Sequence, residues 1–483
     1  MTEGDRKAAA LRPGGAARIG LFLGPALALL IALAPAPDGL ERGGMLVAAI
    51  LVLMAVWWAS EAVPIAVTSL LPLGLLPLTG VATLREIAAP YADQVVLLLL
   101  GGFIIAIGIE KWNLHRRIAL NVLMVSGARL KLLAAGFMLA TALLSMWISN
   151  TATTLMMAPI ALSVALAAGG GAKLAGALLL GIAYAASIGG LATPVGTPTN
   201  LIAMGWLREN AGIDISFRQW MMLGLPIVAL MLPAAWLMVT RGLVSPPGAS
   251  AAARDVIREQ HAGLGRITRP EAHVAMVFGG VALAWILREQ IVLIPVFAGL
   301  TDMGVAILGA IAMFLVPHGS RDPAHREAGW ALLTWDDAKA LPWDVVLLFG
   351  GGLSLAAGVQ ASGLATWLGS ILAGLGAVPA ILMLLALIAI IIFLTEIMSN
   401  VAAVTTFLPV LGALALAIGA DVQTLVIPVA MAASCAFMLP IATGPNAVVF
   451  GLRQFAIGHM IRTGLWLNLA CVGIITLYFG LGR

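Results

Sequence analysis

The stretch Ile148-Ser149-Asn150-Thr151-Ala152-Thr153-Thr154 and its echo Met398-Ser399-Asn400-Val401-Ala402-Ala403-Val404-Thr405 decide the fold of this chain. Each sets Ser-Asn in the middle of a long apolar segment. Each is followed by a second apolar segment broken by Pro and Gly. After the first comes Ala192-Thr193-Pro194-Val195-Gly196-Thr197-Pro198-Thr199-Asn200, and after the second Leu439-Pro440-Ile441-Ala442-Thr443-Gly444-Pro445-Asn446. A helix stopped in mid-membrane leaves backbone N–H and C=O groups without partners. Such breaks persist only where they are buried in protein or line a wet cavity. Four of them in matched pairs mark the place around which the chain is organised.

Composition sets the class. Hydrophobic residues make up 61% of the 483, charged residues only 10%, and mean hydropathy is +1.05. Apolar runs near 20 residues recur from 19–34 to 464–481, which predicts an all-α polytopic membrane protein. Residues 19–34, followed by Ala34-Pro35-Ala36, read as a first span and a Pro-rich turn in preference to a cleaved signal peptide. The polar stretches 241–271 and 318–342 are loops, and no stretch is long enough for a soluble signalling domain. Cys435 and Cys471 both lie in apolar segments, so no disulfide framework is expected. The six histidines show no metal-ligand spacing and read as surface or interface residues. No His-Glu-x-x-His helix is present, which argues against a membrane-embedded metalloenzyme. Trp57, Trp58, Trp112, Trp343 and Trp466 read as interface anchors, and 111–117 as an amphipathic helix on the inner surface.

The pI of about 9.4 comes from the distribution of charge, not from a nucleic-acid partner. With the N-terminus cytoplasmic and the segment pairs 132–168 and 380–419 each returning to one side, six basic residues face outward. They are Arg42, Arg85, Arg208, Arg218, Arg288 and Arg483, so 26 − 6 = 20 face inward. That is the positive-inside bias. It gives eleven full crossings plus two hairpins, with the N-terminus in and the C-terminus out. Charge counting treats a re-entrant hairpin and two full spans alike; the uncharged Ser-Asn tips favour re-entrance.

An internal repeat follows. The segment 95–109 aligns with 345–359 at an offset of 250, with eight of 15 positions identical; the same offset carries Asn150 to Asn400 and Pro159 to Pro409. Five crossings separate the copies, so the second is inverted. Inverted repeats with paired broken helices are the sequence sign of a secondary transporter's binding site. Freed carbonyls suit a cation. Freed N–H groups at the positive end of a half-helix suit a carboxylate or sulfate. No Lys or Arg lies in either Ser-Asn stretch, so anion binding there depends on a bound cation. A lone Ser or Thr in such a helix usually bonds back to its own backbone; two Ser-Asn tips in register with two Pro/Gly breaks point beyond that. Glu61 reads as a helix cap or scaffold residue. Glu396, one turn from Asn400, reads equally as a brace for the hairpin and as a group tuning a cation site.

At these residues the chain resembles the divalent anion:sodium symporter family. The resemblance covers nearly the whole chain. It rests on the paired Ser-Asn signatures, Trp57-Trp58-Ala59-Ser60-Glu61-Ala62-Val63-Pro64, Gly196-Thr197-Pro198-Thr199-Asn200, Thr395-Glu396 and Ala442-Thr443-Gly444-Pro445-Asn446. It implies a homodimer in the cell (inner) membrane and Na⁺-coupled uptake of a small divalent anion, most simply a C4-dicarboxylate such as succinate. A sodium-independent exchanger, or a proton-coupled or sulfate carrier of the same fold, is the alternative.

The resemblance further implies an elevator, with scaffold parts at 19–128 and 272–378. The transport halves would be 129–240 (hairpin 131–168, broken helix 174–206) and 379–483 (hairpin 380–411, broken helix 422–451), with 1–18 as a tail and 241–271 as a cytoplasmic loop. One cation site would use Ser145, Ser149, Asn150 and the backbone at Gly196; the other Thr395, Asn400 and the backbone at Met398 and Ala442. The substrate would meet Asn150, Thr151, Thr197, Asn400, Val401 and Thr443. Two positions depart from the family pattern. Val401 stands where Thr is usual, removing a hydroxyl, so that either the substrate differs or water or Thr405 compensates, and Gly444 stands where Pro is common.

Overall fold

The computed structural model describes residues 15–126, 129–243, 249–320, 329–372 and 378–481. The expected tail at 1–14, and Arg6, Lys7, Arg12, Arg321, Arg326 and Arg483 of the charge count, lie outside the described residues. Among the described residues the regular elements are helices, joined by turns and loops, with one isolated antiparallel bridge between Pro317 and Ala331.

The first half contains α1 (Gly15–Leu33), α2 (Arg42–Ser60), α3 (Gln94–Lys111), α4 (Leu114–Val125), α5 (Leu130–Ser145), α6 (Asn150–Ala167), α7 (Gly171–Gly190), α8 (Pro198–Ala211) and α9 (Phe217–Val239). Helices α10 (Ala249–Gly263), α11 (Arg269–Ile286) and α12 (Asp302–Leu315) lead to the second half. There follow α13 (Trp343–Ala361), α14 (Leu364–Leu372), α15 (Ala380–Leu394), α16 (Asn400–Ile418), α17 (Gln423–Ala432), α18 (Gly444–Gly451) and α19 (Ile457–Leu481). Among the described residues eight helices are long and apolar enough to cross a membrane, and shorter apolar helices accompany them.

Helix α7 lies at the centre. Every residue from 174 to 190 is buried, the pattern of a helix apolar all round that packs inside a bundle. Glycine sets its closest contact: a Cβ on Gly189 would lie 2.5 Å from the Ala142 carbonyl oxygen of α5. The repeat pair α3 and α13 each carry consecutive glycines. Gly102 packs on Val195 of the first break and Gly352 on Thr405 of α16. A second cluster, around Met54, Trp58, Leu76 and Leu355, joins α2 to α13.

Three expectations change. The helix expected over 111–117 runs instead from Leu114 to Val125, because Asn113 adopts a left-handed conformation (φ 57°) that ends α3 and starts α4. Trp58 and Trp112 are core residues, not interface anchors: they are 0% and 6% exposed, and their Nε1 groups donate to Ser69 Oγ at 3.3 Å and the Leu332 carbonyl at 2.8 Å. His318 is buried and stacked on Trp112 with ring centroids 5.3 Å apart.

Candidate functional site

Both Ser-Asn tips have one geometry. Helix α5 ends at Ser145 and α6 begins at Asn150; helix α15 ends at Leu394 and α16 begins at Asn400. Ser149 (φ −49°, ψ 133°) and Ser399 (φ −57°, ψ 134°) are the N-cap residues, and neither side chain caps its helix. Each tip therefore presents the carbonyl end of one half-helix and the uncapped amide end of the next. Pro159 and Pro409 fall at matching places in α6 and α16.

The two breaks are also built alike. Asn200 Nδ2 donates to the carbonyls of Gly190 at 3.0 Å and Thr193 at 2.8 Å. Asn446 Nδ2 donates to the carbonyls of Ala436 at 3.1 Å and Leu439 at 3.0 Å. Both asparagines thus reach ten and seven residues back, each holding an unwound segment closed through its own carbonyls. Thr197 and Thr443 are the extended N-caps of α8 and α18. Thr197 does not cap its helix, whereas Thr443 Oγ1 accepts from Asn446 N at 3.3 Å.

Tip and break meet in each half. In the first, Ser145 Oγ donates to Asn150 Oδ1. The Asn150 amide lies against Gly190, where a Cβ would be 2.9 Å from both Asn150 Oδ1 and the Gly196 carbonyl oxygen. Only glycine at 190 and 196 lets these backbones approach so closely. Thr193 Oγ1 donates to the Met146 carbonyl at 2.5 Å and ties break to tip. In the second half a carboxylate makes the tie. Glu396, 3% exposed, accepts from the amides of Phe437 at 2.8 Å, Met438 at 2.9 Å and Leu439 at 2.9 Å, and from Asn468 Nδ2 at 2.7 Å. Four donors satisfy the buried charge. Glu396 is a brace between hairpin and break.

The tips and breaks converge on one cavity of about 590 Å³, within the range of small-molecule sites. Asn150, Thr151, Thr197, Asn400, Val401 and Thr443 line it, as do Ser149, Gly196, Met398 and Ala442. Ser145 and Thr395 lie behind it, fully buried; Thr395 Oγ1 donates to the Ile392 carbonyl at 3.0 Å. Asn400 Oδ1 is a buried acceptor with no hydrogen-bond partner among the described residues. An unpaired amide oxygen beside the carbonyl end of α15 is a donor set that fits a hard cation, while the uncapped starts of α6, α8 and α16 fit an anion. Thr405 does not substitute for a hydroxyl at 401. It packs on Gly352 and its Oγ1 donates to the Val401 carbonyl at 2.8 Å.

Residues that sequence reasoning left outside the site also line the cavity, among them Glu61, Phe103, Ser187, Ser399 and Val345. Glu61 is both the left-handed cap of α2 (φ 49°) and a cavity residue. Ser187 lay in an unbroken apolar run that gave no signal. Ser399 was legible as the mirror of Ser149.

A family profile described as the sodium:sulfate symporter transmembrane region matches residues 17–481. This chain belongs to the divalent anion:sodium symporter family. Similar members of the family include the sodium-dependent dicarboxylate transporters SdcS of Staphylococcus saprophyticus and Staphylococcus aureus. Each is 39% identical, over 475 and 479 residues, covering 95% of this chain and 90% of the relative. Among solved structures, the fold is similar to the Neisseria gonorrhoeae MtrF transporter (TM-score 0.60, 13% identity, 94% of this chain and 97% of that one). It is also similar to the Alcanivorax borkumensis YdaH transporter (TM-score 0.57, 15% identity, 82% and 86%).

Proposed function

We propose that the protein couples sodium entry to uptake of a small dicarboxylate, most simply succinate, across the cell (inner) membrane. The observation that carries this reading is that two mirrored helix starts line one cavity whose lining, among the described residues, contains no lysine or arginine. A divalent anion held by amides and hydroxyls alone leaves its charge uncompensated, and bound cations supply the missing charge. The relatives named above are sodium-dependent dicarboxylate transporters, which supports the same substrate class.

In this reading one sodium ion takes Ser145 Oγ, Asn150 Oδ1 and the carbonyls at Ser149 and Gly196. A second takes Asn400 Oδ1, Thr395 and the carbonyls at Met398 and Ala442. Asn150, Thr151, Thr197, Asn400 and Thr443 hold the substrate carboxylates, and Val401 contributes an apolar contact. The hairpins and broken helices move together past the scaffold as an elevator, in a homodimer with the N-terminus cytoplasmic and the C-terminus outside.

The test is uptake of labelled succinate into proteoliposomes with and without an inward sodium gradient. Uptake that requires the gradient supports the symporter. Uptake that instead requires internal dicarboxylate makes the protein an exchanger. No succinate uptake, with sodium-driven sulfate uptake, moves the substrate to sulfate; uptake driven by a proton gradient alone replaces the coupling ion.

A further inference from the structure

The cavity contains one charged lining residue among the described residues, and it is acidic. Glu61 lines it from the end of α2, together with Phe103, Pro342, Val345 and the two Ser-Asn tips. Among the described residues Glu61 forms no ion pair and no hydrogen bond. An acid is unfavourable for the ligand the cavity is proposed to hold, since like charges repel across it even where, as for the exposed Glu61, water screens part of the interaction.

The backbone makes the placement more telling. Glu61 has φ 49° and ψ 34° as the C-cap of α2. Left-handed geometry disfavours glutamate, and glycine is the ordinary residue there. A cap alone would be met as well by Gly or Asn. The end of α2 is also fixed. Ser60 Oγ donates to the Val56 carbonyl at 2.6 Å, Trp58 Nε1 donates to Ser69 Oγ at 3.3 Å, and Gly20 of α1 packs directly on Ser60. An unfavourable backbone held on a rigid wall of a binding cavity points from strain to function.

We propose that Glu61 is a fixed wall charge that draws sodium into the cavity and holds off the dicarboxylate until cations are in place. It touches neither ligand and acts through the field across the cavity. This rests on the sodium-coupled reading above and adds a residue to it: the cation dependence of anion binding is enforced by repulsion from Glu61 as well as by attraction from bound cations.

The experiment compares full-length Glu61→Asn with Glu61→Asp in detergent. Both residues tolerate the left-handed backbone, so the pair differs essentially in charge. Binding of labelled succinate is titrated with sodium, and sodium binding is read separately as the sodium-dependent rise in thermal midpoint. The expected result is that E61D resembles wild type. In E61N the half-saturating sodium concentration rises roughly tenfold, while succinate at saturating sodium binds as well or more tightly. A merely structural role would weaken sodium and succinate together, or neither, and either result overturns the proposal. Wild-type succinate binding indifferent to sodium would overturn the coupling reading instead. The pair still reads the wall charge in that case, because succinate must bind E61N more tightly than E61D, and equal binding overturns it.

Discussion

Thr151 and Gly444 touch across the cavity: a Cβ at 444 would overlap Thr151 Oγ1 and lie 3.2 Å from Thr151 Cβ and Cγ2. The contact joins the first tip to the second break, and thus the two halves of the repeat. It gives a reason for glycine at 444 beside a threonine at 151. Gly444→Ala is expected to lower stability in detergent by about 1–3 kcal/mol through overpacking. Thr151→Ala in the same chain should recover part of that loss. A thermal-unfolding double-mutant cycle measures the coupling, and additive effects would mean the residues do not interact.

Asn150 and Asn400 occupy equivalent places as the first residues of α6 and α16. Each presents an amide where a tip meets a break. Asn150→Ala and Asn400→Ala are each expected to reduce succinate uptake at least tenfold while the purified protein still elutes as a folded species. Wild-type uptake in either variant would remove the site assignment.

Val401 lines the cavity and Thr405 is committed to the Val401 carbonyl. Thr405 therefore does not replace the hydroxyl absent at 401. Val401→Thr adds a donor in a desolvated site, worth about 1 kcal/mol to a carboxylate that accepts from it, or roughly fivefold in affinity. Competition between succinate and other divalent anions in V401T measures the change. An unaltered ranking means that position 401 does not select the substrate.

Glu396 carries four hydrogen bonds in the protein interior. Glu396→Gln puts an NH₂ donor among N–H donors and removes the charge they were aligned to. The expected loss is about 2–4 kcal/mol of stability, since bonds to ionised groups are strong and their donors would be left unpaired. Thermal unfolding in detergent measures it. An unchanged midpoint would show that the brace is not needed for folding.

Lys111 and Asp337 form a 2.6 Å ion pair at the end of α3. Burial works to raise the Asp337 carboxyl, but hydrogen bonds from Lys111 and Thr334 outweigh it and hold the group below its usual value of 3.8. A depressed folded-state value means that the pair stabilises the protein above about pH 4, and that this stability is lost as pH falls from 3.8 through the lower folded value. Asp337→Asn should lower the thermal midpoint more at pH 7 than at pH 3, the difference shrinking as pH falls below 3.8. A difference of the same size at both pH values would exclude ionisation as the cause.

Much of this architecture is local and could be read from the chain. The apolar run lengths require helices in a membrane because backbone groups must be satisfied within each segment. The Ser-Asn starts of α6 and α16, and the Pro/Gly breaks after α7 and α17, follow from residues that stop or start a helix wherever they occur. The matched spacing of Asn150 and Asn400 announced two equivalent tips. Other features depended on partners distant in sequence. Trp58 and Trp112 resemble interface anchors in an apolar run and become core residues only when Ser69 and the Leu332 carbonyl reach their ring nitrogens. The role of Glu396 is set by the amides of 437–439 that surround its carboxylate. Glu61 had the look of a cap beside Pro64, and packing of α2 against α1 and α13 set it on the wall of the cavity. Sequence determined where the backbone must break, because breaking is a property of a few neighbouring residues. Tertiary structure decided which side chains share the space those breaks enclose, because that depends on how separate helices pack.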